Sequence, residues 1–191
     1  MMKNILVIDN YDSFTYNLVH CIESVGNKKV DVFRNDEISL DDVDKYDEIV
    51  LSPGPGIPSE SGILLELIER YSSTKKILGV CLGEQAMGEV FGGSIRNLDK
   101  VYHGIATNME IVDFSEPLFS NLPPNFKVGR YHSWIVDKNT IPNELKVTAV
   151  DDEGEVMAVR HKEFNVCGVQ FHPESILTEY GQKIIINWLN S

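Results

Sequence analysis

The stretch KKILGVCLGEQ, Lys75 to Gln85, carries an apolar, strand-like run into a cysteine held between two glycines and then into a helix. In the pattern Gly79-x-Cys81-x-Gly83 the middle residue can occupy a sharp strand-to-helix turn. Its side chain then projects outward and its small neighbours leave the backbone uncrowded, which is nucleophile-elbow logic with sulfur in place of oxygen. A helix through EQAMGEVFGG would bring unpaired N–H groups and a partial positive charge beside the sulfur, favouring the thiolate. The competing reading is a buried strand-end cysteine behaving as a small hydrophobe, the commoner fate of a lone thiol. A base elsewhere in the chain decides between them.

Toward the N-terminus the same alternation repeats. KNILVID, from Lys3 to Asp9, reads as a buried parallel strand. Asp12 or Ser13 can cap a helix through SFTYNLVHCIESVG, with Phe14, Leu18, Cys21, Ile22 and Val25 on one face and Gly26 at its end. VDVFR is a second strand, ISLDDVDKYD holds a helical turn, and DEIVLS is a third strand that enters the loop PGPGIPSESG. That loop, Pro53 to Gly62, has three prolines and three glycines. They impose a fixed path, and the glycines let backbone N–H groups approach a ligand, although a rigid connection alone would look the same. ILLELIERYS is an amphipathic helix leading back to the cysteine strand. The order βαβ(α)βαβα predicts an α/β three-layer sandwich, a central mostly parallel sheet flanked by helices with sites at the carboxyl ends of its strands. After Gly92-Gly93 the texture changes to TNMEIV, FKVGRYHSWIV, LKVTAV, EVMAVRH and NVCGVQF, a strand-rich half of mixed or antiparallel pairing. GQKIIINWLNS closes the chain as a helix with Ile184, Ile185, Trp188 and Leu189 inward. The expectation is one domain, 1–191.

Composition excludes several classes of function. With 17 basic against 29 acidic residues the formal net charge is -12, which disfavours nucleic acid and anionic membranes as partners. No run approaches the roughly 20 apolar residues that span a bilayer, and the N-terminus is too short in apolar residues for a signal peptide, so a cytoplasmic protein is expected. Cys21, Cys81 and Cys167 are odd in number and contain no CxxC pair, so neither a disulfide framework nor a metal site is expected.

Five histidines are available as the base. His20 lies mid-helix and His161 follows a strand among charged residues, so both read as ordinary surface or interface residues. His172 ends the apolar run CGVQF and is followed by Pro173 and Glu174. A strand-end HxE can point the carboxylate at the far ring nitrogen, fixing the tautomer and raising basicity, or it can be a structural turn with a local contact. With Cys81 at another strand end, Cys–His–Glu becomes a nucleophile, base and orienter.

GVCLGEQ, LSPGPGIPSESG and QFHPES resemble, in order and separation, the motifs of the class I, triad-type glutamine amidotransferases. IDNYDSFTYNL and the pair RYHSW with AVRH resemble the subgroup comprising anthranilate synthase component II and the glutaminase subunit of aminodeoxychorismate synthase. The resemblance covers essentially the whole chain. It implies hydrolysis of L-glutamine by Cys81, His172 and Glu174, with an oxyanion hole of backbone N–H groups from Leu82 and Gly56. It also implies substrate contacts from Gly54, Pro55, Gly56, Gln85, Ser133 and Trp134. Trp134 stands where leucine is frequent, a tolerable change because the contact is attributed to backbone. Asn10, Tyr11, Asp12, Ser13, His103 and Gly104 correspond to a partner face. The implied partner is a chorismate-using synthase subunit, anthranilate synthase component I (tryptophan) or aminodeoxychorismate synthase component I (folate), or both in turn. No cofactor is expected in this subunit, and Mg2+ is expected in the partner. A chain with no C-terminal extension fits a separate synthase subunit better than a fused synthetase. The largest departure is Glu84, where the family usually has histidine. A carboxylate facing Cys81 would oppose thiolate formation, so Glu84 is expected to point away and be neutral for catalysis. A non-enzymatic regulator on the same fold and a different thiol hydrolase, such as a cysteine peptidase, are the alternatives.

Overall fold

The computed structural model describes residues 4–26 and 29–191. Lys3, where the first expected strand begins, lies outside them. The first half follows the expected alternation: β1 (Ile5–Asp9), α1 (Thr15–Gly26), β2 (Val30–Arg34), the single-turn α2 (Leu40–Val43), β3 (Glu48–Leu51), α3 (Leu64–Tyr71), β4 (Lys76–Val80) and α4 (Leu82–Val90). The second half is built from β5 (Ile95–Asn97), β6 (Ile105–Ile111), β7 (Asn125–Arg130), β8 (Trp134–Val136), β9 (Leu145–Asp151), β10 (Val156–His161) and β11 (Val166–Val169), closed by α5 (Gly181–Asn190).

Nine strands form one sheet in the order β2-β1-β3-β4-β11-β10-β9-β6-β7, and β5 pairs with β8 apart from it. Strands β2, β1, β3, β4 and β11 run parallel, while β10, β9, β6 and β7 extend the sheet antiparallel. The break in texture after Gly93 is therefore a change of pairing mode. One strand of the second half, β11, returns to complete the parallel set.

Alternation within each strand explains the three layers. Ile5 and Val7 of β1 pack with Leu18 and Ile22 of α1 and with Ile184, Ile185 and Trp188 of α5. Leu6 and Ile8 pack on the opposite face with Leu64, Leu67 and Ile68 of α3 and with Ala86 and Met87 of α4. A period of two sends successive side chains to opposite faces, so a continuous apolar strand needs helices on both. Full burial of each such side chain contributes roughly 1.5–3 kcal/mol.

One local alternative is decided and one expectation is corrected. Of the two cap candidates Ser13 does not serve α1 and Asp12 accepts at its start: Asp12 Oδ1 accepts from the Phe14 N–H at 2.7 Å, and Asp9 Oδ1 accepts from the Tyr11 N–H and the Thr15 hydroxyl. An aspartate accepts strongly from free helix-start N–H groups, and two of them precede Ser13. His161 is buried rather than superficial, stacked on Phe164 at 4.2 Å and tilted against Phe91 at 4.6 Å. Burial lowers its pKa, and its Nδ1 accepts from the Glu163 and Phe164 N–H groups.

The neighbouring strands β1, β3, β4 and β11 end on one edge. Asn10, the loop from Ser52, Cys81 and the segment Gln170 to His172 follow those ends, which brings the cysteine elbow, the Pro/Gly loop and the HPE turn to one edge of the sheet.

Candidate active site

Cys81 follows β4 with φ 54° and ψ −101°, a region that strains any residue with a Cβ. Its N–H donates to the Val169 carbonyl at 2.8 Å, and its carbonyl accepts from the Gln85 N–H at 3.1 Å, so the turn is tied to β11 and to α4. The flanking glycines are required by contact. A Cβ at Gly79 would lie 2.6 Å from the Gly83 carbonyl carbon, and one at Gly83 would lie 2.7 Å from the Leu51 oxygen. Their absence lets the first turn of α4 descend onto the sheet and aim its unpaired N–H groups beside the sulfur.

His172 lies three residues beyond the end of β11. Its N–H donates to the Gly129 carbonyl at 3.0 Å, and Thr178 Oγ1 donates to its carbonyl at 2.6 Å. Nδ1 and Glu174 Oε1 are 2.8 Å apart with both side chains buried. Because a carboxylate only accepts, Nδ1 carries the proton and Nε2 is the basic nitrogen. Burial opposes a charged imidazole, but hydrogen bonding to and the negative charge of a Cys81 thiolate and of Glu174 outweigh it and raise the His172 pKa to about 10. Nε2 is buried and short of a full hydrogen bond, the loose geometry common before substrate tightens a site. Phe14 and Tyr131 hold the ring, at centroid distances of 5.6 and 4.7 Å.

A cavity of about 210 Å3 adjoins Cys81. Its wall contains all six expected substrate residues, Gly54, Pro55, Gly56, Gln85, Ser133 and Trp134, together with Tyr131 and His132. A more open cleft of about 650 Å3 between α1 and the turn after His172 touches Glu174 but not Cys81, so thiol chemistry belongs to the smaller cavity. Gly56 has φ 74°, which turns the loop as an L side chain rarely permits. The loop is pinned by Asn10, whose N–H donates to Ser52 Oγ at 2.9 Å and whose Nδ2 donates to the Ser52 carbonyl at 2.8 Å. Asn10 is thus buried behind the loop, and of the six residues matched to a partner face Tyr11, Ser13, His103 and Gly104 are exposed.

The substrate-loop backbone is held from behind. The Ser133 carbonyl accepts from the Leu98 N–H at 2.7 Å, and the Trp134 carbonyl accepts from Gln85 Nε2 at 2.8 Å and faces His132 Nδ1 at 2.9 Å. Arg130 Nε reaches His132 Nε2 at 3.0 Å, and Arg130 itself is paired with Asp151 at 2.6 Å. Burial and the neighbouring Arg130 charge lower the His132 pKa to about 3, so the ring is neutral. Gln170, His132 and Tyr131 are absent from the sequence-level site. Gln170 opens the QFHPES motif and is a polar residue closing an apolar strand, but neither pattern assigns it a role.

Glu84 does not line the cavity, in keeping with its expected direction. It is nevertheless fully buried, its stem packed where a Cβ on Gly168 would come within 2.7 Å of Glu84 Cγ, and neither carboxylate oxygen has a hydrogen bond. Desolvation raises its pKa from 4.5 to about 8, so it is neutral at pH 7 and adds no charge near the thiol. The folded chain therefore holds a proton that the unfolded chain releases, and stability falls as pH rises from 4.5 through about 8. Glu84→Met is expected to stabilise the protein more at pH 8 than at pH 4.5, by roughly 2–4 kcal/mol in denaturant melts. An equal gain at both pH values would refute a buried, protonated carboxyl.

The profile of the glutamine amidotransferase class-I family matches residues 6–191. The chain is 47% identical over 190 residues to anthranilate synthase component 2 of Porphyra purpurea, covering 98% of this chain and 99% of that one. It is 42% identical over 189 residues to the aminodeoxychorismate/anthranilate synthase component 2 of Bacillus subtilis, covering 98% and 96%. It is also 44% identical to the bifunctional protein TrpGD of Thermotoga maritima, of which it spans 32%. A solved glutamine amidotransferase from Thermotoga maritima shares the fold at TM-score 0.76 and 19% identity, covering 91% of this chain and 77% of that one. With the match extending through both the elbow and the HPE turn, this chain belongs to the class-I glutamine amidotransferases.

Proposed function

We propose that the chain is the glutaminase subunit of a chorismate-using synthase, with anthranilate synthase component I as its partner and tryptophan biosynthesis as its pathway. The observation that carries the glutaminase reading is the convergence of Cys81 and the His172–Glu174 pair on adjacent strand ends, with Cys81 opening onto one small cavity. Cys81 gives its proton to His172 Nε2 and its sulfur attacks the amide carbon of glutamine. The N–H groups of Leu82 and Gly56 receive the developing oxyanion; one such donor is worth about 3 kcal/mol of barrier in other acyl-transfer sites. Collapse breaks the C–N bond, His172 returns the proton to the departing nitrogen, and ammonia leaves a glutamyl thioester. Water, deprotonated by His172, then attacks the thioester, releasing glutamate and restoring the thiol. Gln85 and the backbone of Ser133 and Trp134 hold the amino-acid end. The reading needs no cofactor here and assigns Mg2+ to the partner. A cytoplasmic setting accords with the three free cysteines.

The partner face is assigned to the exposed rim, with Tyr11, Ser13, His103 and Gly104 joined by the half-buried Asp12. A second reading, one subunit shared by tryptophan and folate synthases, draws on the Bacillus subtilis relative, whose name joins both. Affinity capture followed by product identification with glutamine or ammonia tests both. Anthranilate formed from chorismate and glutamine supports the first reading, and aminodeoxychorismate formed as well supports the second. Absence of a chorismate-using partner with no glutamine turnover would favour a regulator, and peptide or ester turnover instead would favour a thiol hydrolase.

A further inference from the structure

The hydrogen-bond chain behind the cavity ends on the sulfur. Gln170 Nε2 lies 3.5 Å from Cys81 Sγ, and Gln170 Oε1 lies 3.1 Å from Gln85 Nε2. Gln170 is completely buried, and its backbone N–H is tied to the Met157 carbonyl at 2.9 Å.

Which end of each amide faces which partner follows from groups that have no choice. The Trp134 carbonyl can only accept, so Gln85 must present its NH2 to it. The second hydrogen of that NH2 points to Gln170, which must answer with its oxygen. The Gln170 NH2 is then left for Cys81. The far end is equally determined: Arg130 can only donate, so His132 accepts at Nε2 and donates from Nδ1 to the same Trp134 carbonyl. Every flip and tautomer in the chain is set by an arginine at one end and a peptide carbonyl in the middle.

We propose that Gln170 is a catalytic residue that donates its side-chain N–H to the Cys81 sulfur, stabilising the thiolate before attack and the sulfur leaving group when the thioester is hydrolysed. This rests on Cys81 being the nucleophile. A neutral thiol is a weak acceptor and a thiolate a strong one, so the bond strengthens as charge develops on sulfur. His172 does not hold a constant charge beside the sulfur: it gives its proton to the departing ammonia, stands neutral beside the thioester, and regains a proton only from the attacking water. Gln170 has no proton to give up and stays in place through both half-reactions. Gln85 and, through the Trp134 carbonyl, His132 and Arg130 act as positioning residues for it.

The test is Gln170→Met, which keeps length and removes both hydrogen bonds. In the folded variant the pH midpoint of Cys81 alkylation by iodoacetamide is expected to rise by about one unit or more, with kcat for glutamine at least about tenfold lower. A companion measurement needs no substitution at 170: the Gln170 side-chain amide resonances of the 15N-labelled protein should move with pH at the Cys81 midpoint and cease to do so in Cys81→Ala. An unchanged alkylation midpoint in folded Gln170→Met, or amide resonances indifferent to Cys81 ionisation, would overturn the assignment. If instead Cys81→Ala still hydrolyses glutamine, it is the nucleophile reading that fails.

Discussion

Cys81→Ala is expected to abolish glutamine hydrolysis while leaving the partner synthase able to use free ammonia. Losing the nucleophile of a triad lowers kcat by roughly 10⁴–10⁶-fold in comparable acyl-transfer enzymes, because the two-step covalent route disappears. The fold should tolerate the change. Cys81 lines a cavity, its sulfur faces the polar side chains of Gln170 and His172, and its backbone bonds to Val169 and Gln85 do not involve the side chain. Alanine at φ 54° is no more strained than cysteine. The readout is product formed by the reconstituted complex with glutamine and, separately, with ammonium at high pH. Loss of both would mean that Cys81 holds the assembly together; retention of both would remove it from the chemistry.

Gly83→Ala is expected to inactivate the site without touching any reacting group. The added Cβ would meet the Leu51 oxygen at 2.7 Å and Leu51 Cβ at 2.8 Å, both in the packed core of β3, so α4 must lift away from the sheet. Overpacking of this kind costs about 1–3 kcal/mol of stability. The larger effect is geometric. Leu82 N–H and Cys81 ride on that first turn, and a displacement of about 1 Å at a catalytic group costs on the order of 10²-fold in rate. Glutaminase activity should fall by at least that factor in protein that still melts cooperatively, and its Cys81 alkylation rate should fall too. Near-normal activity would show that the flat approach of α4 is not what makes the elbow.

How much of this was legible in the sequence divides by the range of the interaction. The strand entering Cys81, the two glycines around it and the His172-Pro173-Glu174 spacing are local patterns, and local sterics and hydrogen bonding give them one dominant reading. The parallel order of the first half followed from strands alternating with helices, and the crevice from all of those strands ending together. Gln170 was not legible because its meaning depends on β11 lying beside β4, in a register that sets Gly168 opposite Gly79. Glu84 reads in the sequence only as a carboxylate pointing away from Cys81, and it is the close approach of α4 to Gly168 that seals it from water. His161 misled for a similar reason. Its charged sequence neighbours suggest solvent, whereas Phe91, distant in sequence, and Phe164 enclose it. Asn10 sits in a polar loop that reads as surface, yet it is spent on Ser52 and, through its Oδ1, on Asn35 Nδ2 at 3.0 Å.

The most direct test of the central claim, that Cys81 carries the glutamyl group, is a rapid acid quench of the complex during turnover of carbon-labelled glutamine, followed by peptide mapping. Label is expected on the peptide containing Cys81, released by hydroxylamine as a thioester should be, and absent in Cys81→Ala. Glutamate formed at the normal rate with label on another residue, or with none trapped even when water attack is slowed by lowering the pH, would contradict it.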